Sequence, residues 1–309
     1  MKNRARGCFI GQLVGDALGS QVEFLSSKQI WNYYPNGIRK ISTSLSWDTL
    51  PGQITDDSEM ALALARTLIK TKKYDQHATQ QAYLKWLHSN PFDCGNTVRS
   101  SLLGKVNPTS QANGALMRIS PLGIWGANQD RKILWQAAKE DALLTHVHPV
   151  CQQVNQIFAT LIAESIRSAK NRFDLYVDLA THPENYCSEP ILHDIRECIV
   201  KAVDIKPLLD QGNRGWVLMA LQNALYQLTH AETFEQAVID TVMGGGDTDT
   251  NGAICGALMG AVYGYFAIPQ NWCTKVLSCK PDNQHNATYV RPKFFWATDA
   301  ISIADSLLG

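Results

Sequence analysis

Gly7, Gly11, Gly15 and Gly19 recur every four residues near the start of the chain, and Gly252, Gly256, Gly260 and Gly264 do so near its end. On an α-helix, residues four apart lie roughly along one face. Each interior glycine costs about 1 kcal/mol of helix propensity against alanine. A stripe of four needs a compensating gain, and close backbone approach is the natural one. The stripes therefore predict two buried central helices, and packing on each other is one arrangement that satisfies both. A membrane dimer does not fit. The longest uncharged apolar run, Gly252 to Ala267, is too short and too glycine-rich for a span of about 20 residues.

The rest of the chain reads as helix nearly throughout. Met60, Leu64 and Leu68 repeat every four residues, with Ala61 and Ala65 beside them. Tyr83, Trp86 and Leu87 share a helical face. So do Ile157, Leu161 and Ile162, and later Val217, Leu221, Leu225 and Leu228. Ile38 to Leu45 is the best strand candidate. Turn signals at Tyr34–Gly37, Asn90-Pro91, Asn107-Pro108, His182-Pro183 and Lys280–Asn283 mark loops, none long enough to separate domains. The reading is all-α, a single compact multi-helix domain over residues 1–309.

The 28 basic and 28 acidic side chains balance. That excludes a basic, nucleic-acid-coating surface as the main feature. The neutral, mixed surface makes a monomer the default. The eight cysteines are scattered and form no C-x-x-C pair, so they outline neither a zinc site nor a disulfide framework. Lys2, Arg4 and Arg6 before Cys8-Phe9-Ile10 mimic the start of a secretory signal, but Gly11, Gln12 and Asp16 break the apolar run. A reducing cytoplasm is the expected compartment.

Two acidic clusters carry the chemistry. One is Ile54-Thr55-Asp56-Asp57-Ser58-Glu59, ahead of the Met60 helix. The other is Gly244-Gly245-Gly246-Asp247-Thr248-Asp249-Thr250-Asn251. One carboxylate at a helix start is a good cap and suits the dipole. Several adjacent ones repel and exceed capping needs, and a bound cation would resolve that repulsion. The available ligands are oxygens, which suits Mg²⁺, Ca²⁺ or Mn²⁺ rather than zinc. Two ordinary helix caps are the plainer alternative. An EF-hand loop is excluded because its twelfth position, counted from Asp247, is Leu258 and not glutamate. A phosphatase-type D-x-D-x-T element should follow a hydrophobic strand, and here it follows Met243 and three glycines.

Taken in order along the chain, several motifs resemble the ADP-ribosylglycohydrolase family. They are Gly15–Gly19 with Glu23-Phe24, Thr55–Ser58, Phe92–Thr97, Asn113–Arg118, Thr145-His146 with His148-Pro149, and Gly245–Thr250. The likeness is greatest to the bacterial dinitrogenase-reductase-activating type, which removes ADP-ribose from arginine. The resemblance implies an all-α fold and a cleft with two divalent cations, Mg²⁺ or Mn²⁺. By position it implies Thr55, Asp56, Asp57, Asp247, Asp249 and Thr250 as metal ligands. Asp57, Asp247 and Glu23 are the candidates for taking the proton of the attacking water. Such cleavage passes through an oxocarbenium-like state, which a carboxylate base and fixed cations both assist.

The resemblance also implies that Asp93 meets the guanidinium of an arginine substrate. A carboxylate is the right partner for a fork of N–H donors. A cap for the helix containing Asn96, Thr97 and Val98 is its other reading. Cys94 stands where a branched apolar residue is commoner. Gly95, Asn96, Asn113 and Gly114 resemble positions lining the diphosphate and ribose. Ala112 replaces a common serine, which removes one hydroxyl contact. Gly244, Gly245 and Gly246 are expected to offer backbone N–H groups to phosphate. Trp216 resembles an adenine-stacking position, with a core tryptophan as the alternative. His146 is read either as a ribose contact or as a satisfied structural histidine.

Three functions follow for comparison. The first is a metal-dependent hydrolase that releases ADP-ribose from arginine on a modified protein. The second is the same chemistry on another linkage: serine, nucleic acid or O-acetyl-ADP-ribose. The third is a non-catalytic member like the family's lens crystallins. The intact acidic clusters oppose the third, and Asp93 favours the first over the second. The segment from Asn171 to Asp210 matches no motif and is expected to be variable surface.

Overall fold

The computed structural model describes residues 1–168 and 170–309. Among them are fifteen α-helices. The N-terminal half holds α1 (Lys2–Gly19), α2 (Ser27–Tyr33), α3 (Asp56–Thr71), α4 (Gln76–His88), α5 (Asn96–Leu102), α6 (Ser120–Gly126) and α7 (Arg131–Leu143). The rest holds α8 (Pro149–Ser168), α9 (Arg172–Thr181), α10 (His193–Lys201), α11 (Val217–His230), α12 (Phe234–Val242), α13 (Thr248–Tyr263), α14 (Gln270–Ser278) and α15 (Ala300–Leu308).

The two glycine stripes face each other at the centre. A β-carbon built on Gly7, Gly11 or Gly15 would overlap the carbonyl oxygen of Gly260, Gly256 or Gly252, and one on Gly19 would overlap that of Thr248. One residue number rises as its partner falls, so α1 and α13 run antiparallel in backbone-to-backbone contact. Both helices are buried along almost their whole length. The remaining helices pack around this pair and share one hydrophobic core. The apolar repeats read from the sequence lie in it: Met60, Leu64 and Leu68 on α3, Tyr83 and Trp86 on α4, Ile157 and Leu161 on α8, Leu221 and Leu225 on α11.

Ile38–Leu45 is not a strand. Among the described residues, β-pairing is confined to two isolated bridges, Ser26 with Gly245 and Ala112 with Trp216. Ile38, Ile41 and Ser44 are buried, a spacing of three that a strand's alternation of two would not produce. The segment is pinned to the end of α1 instead: Leu45 N–H donates to the Gln21 carbonyl at 2.9 Å, and Ser42 N–H to Gln21 Oε1 at 2.8 Å. All eight cysteines are free thiols. Among the described residues no helix is long and apolar enough to cross a membrane.

Candidate metal centre and ligand cleft

The antiparallel pairing brings three helix ends together. The end of α1 meets the first turn of α13, where the Thr248 hydroxyl donates to the Gly19 carbonyl at 2.8 Å. Asp16, one turn back on α1, reaches the start of α3. Its carboxylate accepts the main-chain N–H of Thr55 at 3.1 Å and of Ser58 at 3.2 Å. Asp16 thereby satisfies the free amides of α3 from another helix, the task of a cap. Thr55 holds the N-cap position but bonds no amide of its own helix. Its hydroxyl lies 3.0 Å from Asp16 Oδ1 and 2.9 Å from Asp57 Oδ2. One proton can serve only one of them at a time.

Asp247 likewise stands at the N-cap of α13 without capping it. It accepts from Asn113 Nδ2 at 2.7 Å instead. Asp249 accepts the Thr250 N–H at 2.8 Å. Asp56 accepts the Gly95 N–H at 3.3 Å. The acids therefore exceed what capping uses, and the plainer reading of two capped helices does not describe them.

Asp16, Glu23, Asp56, Asp57, Asp93, Asp247 and Asp249 converge here, and among the described residues none is ion-paired with a lysine, arginine or histidine. Oxygens of Glu23, Asp247 and Asp249 lie within 4.8 Å of one another. Burial is the main cause that raises the pKa of these carboxyls, and repulsion between several of them adds to it. Asp16 is pushed up to about 7 and Glu23 to about 8. Asp56, Asp57 and Asp249 are held well above the ordinary carboxylate range, and Asp247 is raised. Asp57 Oδ1 is buried with no hydrogen-bond partner. An orphaned carboxylate oxygen inside an uncompensated acidic cluster suits a hard divalent cation. The residues present fit such an ion.

A cleft of about 500 Å³ opens beside this cluster. Glu23, Asp56, Asp247, Asp249 and Thr250 form its acidic wall, and Asp93, Gly95, Asn96, Asn113, Gly114 and His146 also line it. Thr55 and Asp57 are buried behind the wall. Asp93 is half-buried and does not cap α5, whose N-cap is Gly95. Burial, reinforced by the charge of Asp247, pushes its carboxyl up to about 6. His146 is fully buried, with Nδ1 2.8 Å from the Thr145 hydroxyl and Nε2 unpartnered. Burial, then the charge of Arg118, lowers it to about 3, so the ring is neutral at physiological pH. A side chain on Gly114 would crowd it, since a β-carbon there falls 3.1 Å from His146 Cε1.

Sequence comparison places this cleft in a known context. The sequence pattern of the ADP-ribosylglycohydrolase family matches residues 1–293. The chain belongs to the ADP-ribosylglycohydrolase family. This family member is 33% identical over 294 residues to the ADP-ribosyl-dinitrogen-reductase glycohydrolase of Rhodospirillum rubrum, covering 89% of this chain and 90% of that one. It is 25% identical over 293 residues to the ADP-ribosylarginine hydrolase Tri1 of Pseudomonas putida, covering 89% and 74%. A solved ADP-ribosylglycohydrolase-related protein complex superposes with a TM-score of 0.79 at 27% identity, covering 99% of this chain and 97% of that one. The activity class is hydrolysis of ADP-ribose linkages.

Two expectations change in this ADP-ribosylglycohydrolase fold. The amides of Gly244, Gly245 and Gly246 are not free for phosphate: they donate to the carbonyls of Thr241, Val242 and Leu25 at 3.0, 3.1 and 2.9 Å. The glycines shape a turn instead. Gly245 and Gly246 have φ of 75° and 79°, which side chains disfavour. The turn also pairs with Phe24, whose N–H donates to the Gly246 carbonyl at 2.8 Å. Its work is to hold Glu23 against the first turn of α13. Trp216 is not in the cleft lining. Its indole N–H donates to Gln111 Oε1 at 2.9 Å, and its side chain is half-buried against the core.

Three residues of the site carry no role in the sequence reading. Asp16 sits inside a recognised motif, but its partner Thr55 is 39 residues away. Arg214 lines the cleft from an exposed loop, and no pattern marks it. Arg291 grips both oxygens of Glu59 on α3 at 2.7 and 2.8 Å and donates to the carbonyls of Ser89 and Asn90. It thereby fixes the loop that carries Asp93.

Proposed function

We propose that this chain hydrolyses the N-glycosidic bond between ADP-ribose and arginine on modified proteins, reversing mono-ADP-ribosylation. The observation that carries the reading is Asp93: a cleft-lining carboxylate that caps no helix and has no basic partner among the described residues. A guanidinium is the group such an acid receives best. The name of the Pseudomonas putida relative points the same way.

Thr55, Asp56, Asp57, Asp247, Asp249 and Thr250 would hold two divalent cations, Mg²⁺ or Mn²⁺, with Glu23 beside them. Cations bound there would supply Lewis-acid polarisation beside the scissile bond. Water adds to the anomeric carbon as the bond to the arginine nitrogen breaks. Glu23 and Asp247 open onto the cleft and are placed to take the water proton, whereas Asp57 is walled off and serves as a ligand. Asp93 steadies the guanidino group, which leaves with the bonding pair as neutral guanidine and takes up the proton that the water gave to the carboxylate. Asn113 positions Asp247, and His146 offers its free Nε2 to the ribose. With the triple-glycine amides engaged, Arg214 is the group in the cleft lining best suited to meet the diphosphate. The reaction is set in a reducing cytoplasm, with ADP-ribose and the restored protein as products.

The test is release of free ADP-ribose from an arginine-ADP-ribosylated protein with Mg²⁺ or Mn²⁺ and with EDTA, with a serine-linked substrate in parallel. Metal-dependent release from arginine alone is expected. Release from serine alone would transfer the reading to that linkage, and release undiminished by EDTA would remove the metals from it.

A further inference from the structure

A row of four aromatic rings leads away from the cleft. Phe24 lines the cleft. Its ring lies 6.1 Å from that of Trp47, Trp47 lies 5.7 Å from Phe92, and Phe92 stacks on Tyr289 at 4.7 Å. These separations fall within the range of about 4.5–7 Å that favours aromatic pairs. The four rings come from four separate segments. Gln53 Nε2 ties one of these to the Tyr289 carbonyl at 2.8 Å, and the Thr288 hydroxyl ties it to Asp48 at 3.0 Å.

None of the four is fully buried, and Phe24 is 57% exposed. Its backbone also adopts a left-handed φ of 66°, a costly conformation for a bulky residue. Asp48 beside Trp47 and Asn90 just before Phe92 are left-handed too, at 52° and 56°. Phe24 is held at the surface on a strained turn, the other three rings are half-buried beside it, and none of the four belongs to the core. The row makes sense as a surface built for contact.

The row runs between two acids of the cleft. Trp47 donates its indole N–H to Glu23, and Phe92 immediately precedes Asp93. A substrate whose ADP-ribose fills the cleft and whose guanidinium meets Asp93 has this row beside the place where its polypeptide begins, since Phe24 lines the cleft and Phe92 adjoins Asp93. We infer that the Phe24–Trp47–Phe92–Tyr289 row is the docking wall for the polypeptide segment flanking the modified arginine. The inference rests on the arginine reading above. Partly exposed rings grip backbone and aliphatic stems without demanding one sequence. The contact between Trp47 and Glu23 ties an occupied wall to the acidic cluster.

The experiment compares two substrates, an arginine-ADP-ribosylated protein and the small molecule ADP-ribosyl-arginine, with wild type, Tyr289→Ala and Tyr289→Phe. Tyr289 is the ring farthest along the row from the cleft. For Tyr289→Ala, kcat/KM on the protein is expected to fall about tenfold, mainly through KM. The same variant should process the small substrate within about twofold of wild type. Tyr289→Phe keeps the ring and should match wild type on both. Equal loss on both substrates, or no loss on either, overturns the docking wall while leaving the arginine reading intact. Failure of wild type on both substrates removes the arginine reading and this inference with it.

Discussion

The carboxylate of Asp16 on α1 accepts the main-chain N–H of Thr55 at 3.1 Å. This bond joins the glycine-packed helix pair to the start of α3. It follows directly from the antiparallel register, because the last turn of α1 is where α13 begins and where α3 is anchored. Because Asp16 performs the capping, Asp56 and Asp57 are left to face other acids.

The first prediction concerns the charge stored there. Asp57 is buried, has one oxygen without a partner, and is repelled by Asp16 and Asp247. Asp57→Asn keeps the shape and removes the charge. In EDTA the variant should melt at a higher temperature than wild type. With Mn²⁺ the order should reverse, since wild type gains about 2.7 kcal/mol at a cation concentration one hundred times its Kd. Activity should be lost with helical circular dichroism unchanged. Retained turnover with an undiminished Mn²⁺-induced shift would refute the assignment of Asp57 as a ligand.

A second prediction follows for pH. Glu23 rises from 4.5 to about 8 and Asp16 from 3.8 to about 7 in the metal-free protein. A folded-state pKa above the unfolded one contributes stability that is present below the unfolded value and lost as pH rises through the folded value. His146, lowered to about 3, acts in the opposite sense, but only below its ordinary value of 6.5. Between pH 6.5 and about 8.5 the metal-free protein should therefore lose stability steadily. Saturating Mn²⁺ should flatten the curve. Thermal melts in EDTA that stay level across this range would contradict it.

Much of this was legible in the sequence, and the reasons differ by residue. The glycine stripes pointed to two buried helices because glycines inside a helix need a compensating close approach, and packing on each other is one arrangement that supplies it. The acids of Asp56-Asp57 and Asp247-x-Asp249 were legible because adjacent like charges need a reason. The role of Asp16 was hidden because a cap supplied from 39 residues away leaves no local pattern. The triple glycine misled because glycine before a helix suits both a phosphate loop and a tight turn, and only the hydrogen bonds distinguish them. Ile38–Leu45 misled because two isoleucines in a short segment read as strand, whereas the burial has a spacing of three.

The stripes give a prediction whose sign opposes helix propensity. Alanine is the better helix former by about 1 kcal/mol. A β-carbon at Gly11 would nevertheless overlap the backbone of Gly256, which cannot rotate away as a side chain could. Gly11→Ala should destabilise by about 2–3 kcal/mol in denaturant titration, in the range of overpacked cores. A neutral or stabilising result would mean that α1 and α13 separate more easily than their register implies.

Arg291 offers a test of how the Asp93 loop is held. Arg291 and Glu59 are each 2% exposed at the side chain and form a two-bond pair, with Trp86 also donating to Glu59 at 2.8 Å. Arg291→Met removes the cation and strands the acid, at a cost of about 3–5 kcal/mol. The double variant with Glu59→Gln should recover a substantial part of that. Stability unchanged in the single variant would show the pair to be dispensable.

Asp93 carries the most direct prediction for specificity. A charge-assisted hydrogen bond is worth about 1.5–3 kcal/mol, which is roughly tenfold to 150-fold. Asp93→Ala should lower kcat/KM on an arginine-linked substrate by that factor. Free ADP-ribose has no guanidinium, so its Kd should stay within about threefold of wild type. Because Asp93 caps no helix, its loss should not unfold α5, and the melting temperature should change little. Equal losses in turnover and ADP-ribose binding would make Asp93 a support of the cleft wall, and the preference for arginine would then have to come from elsewhere in the cleft.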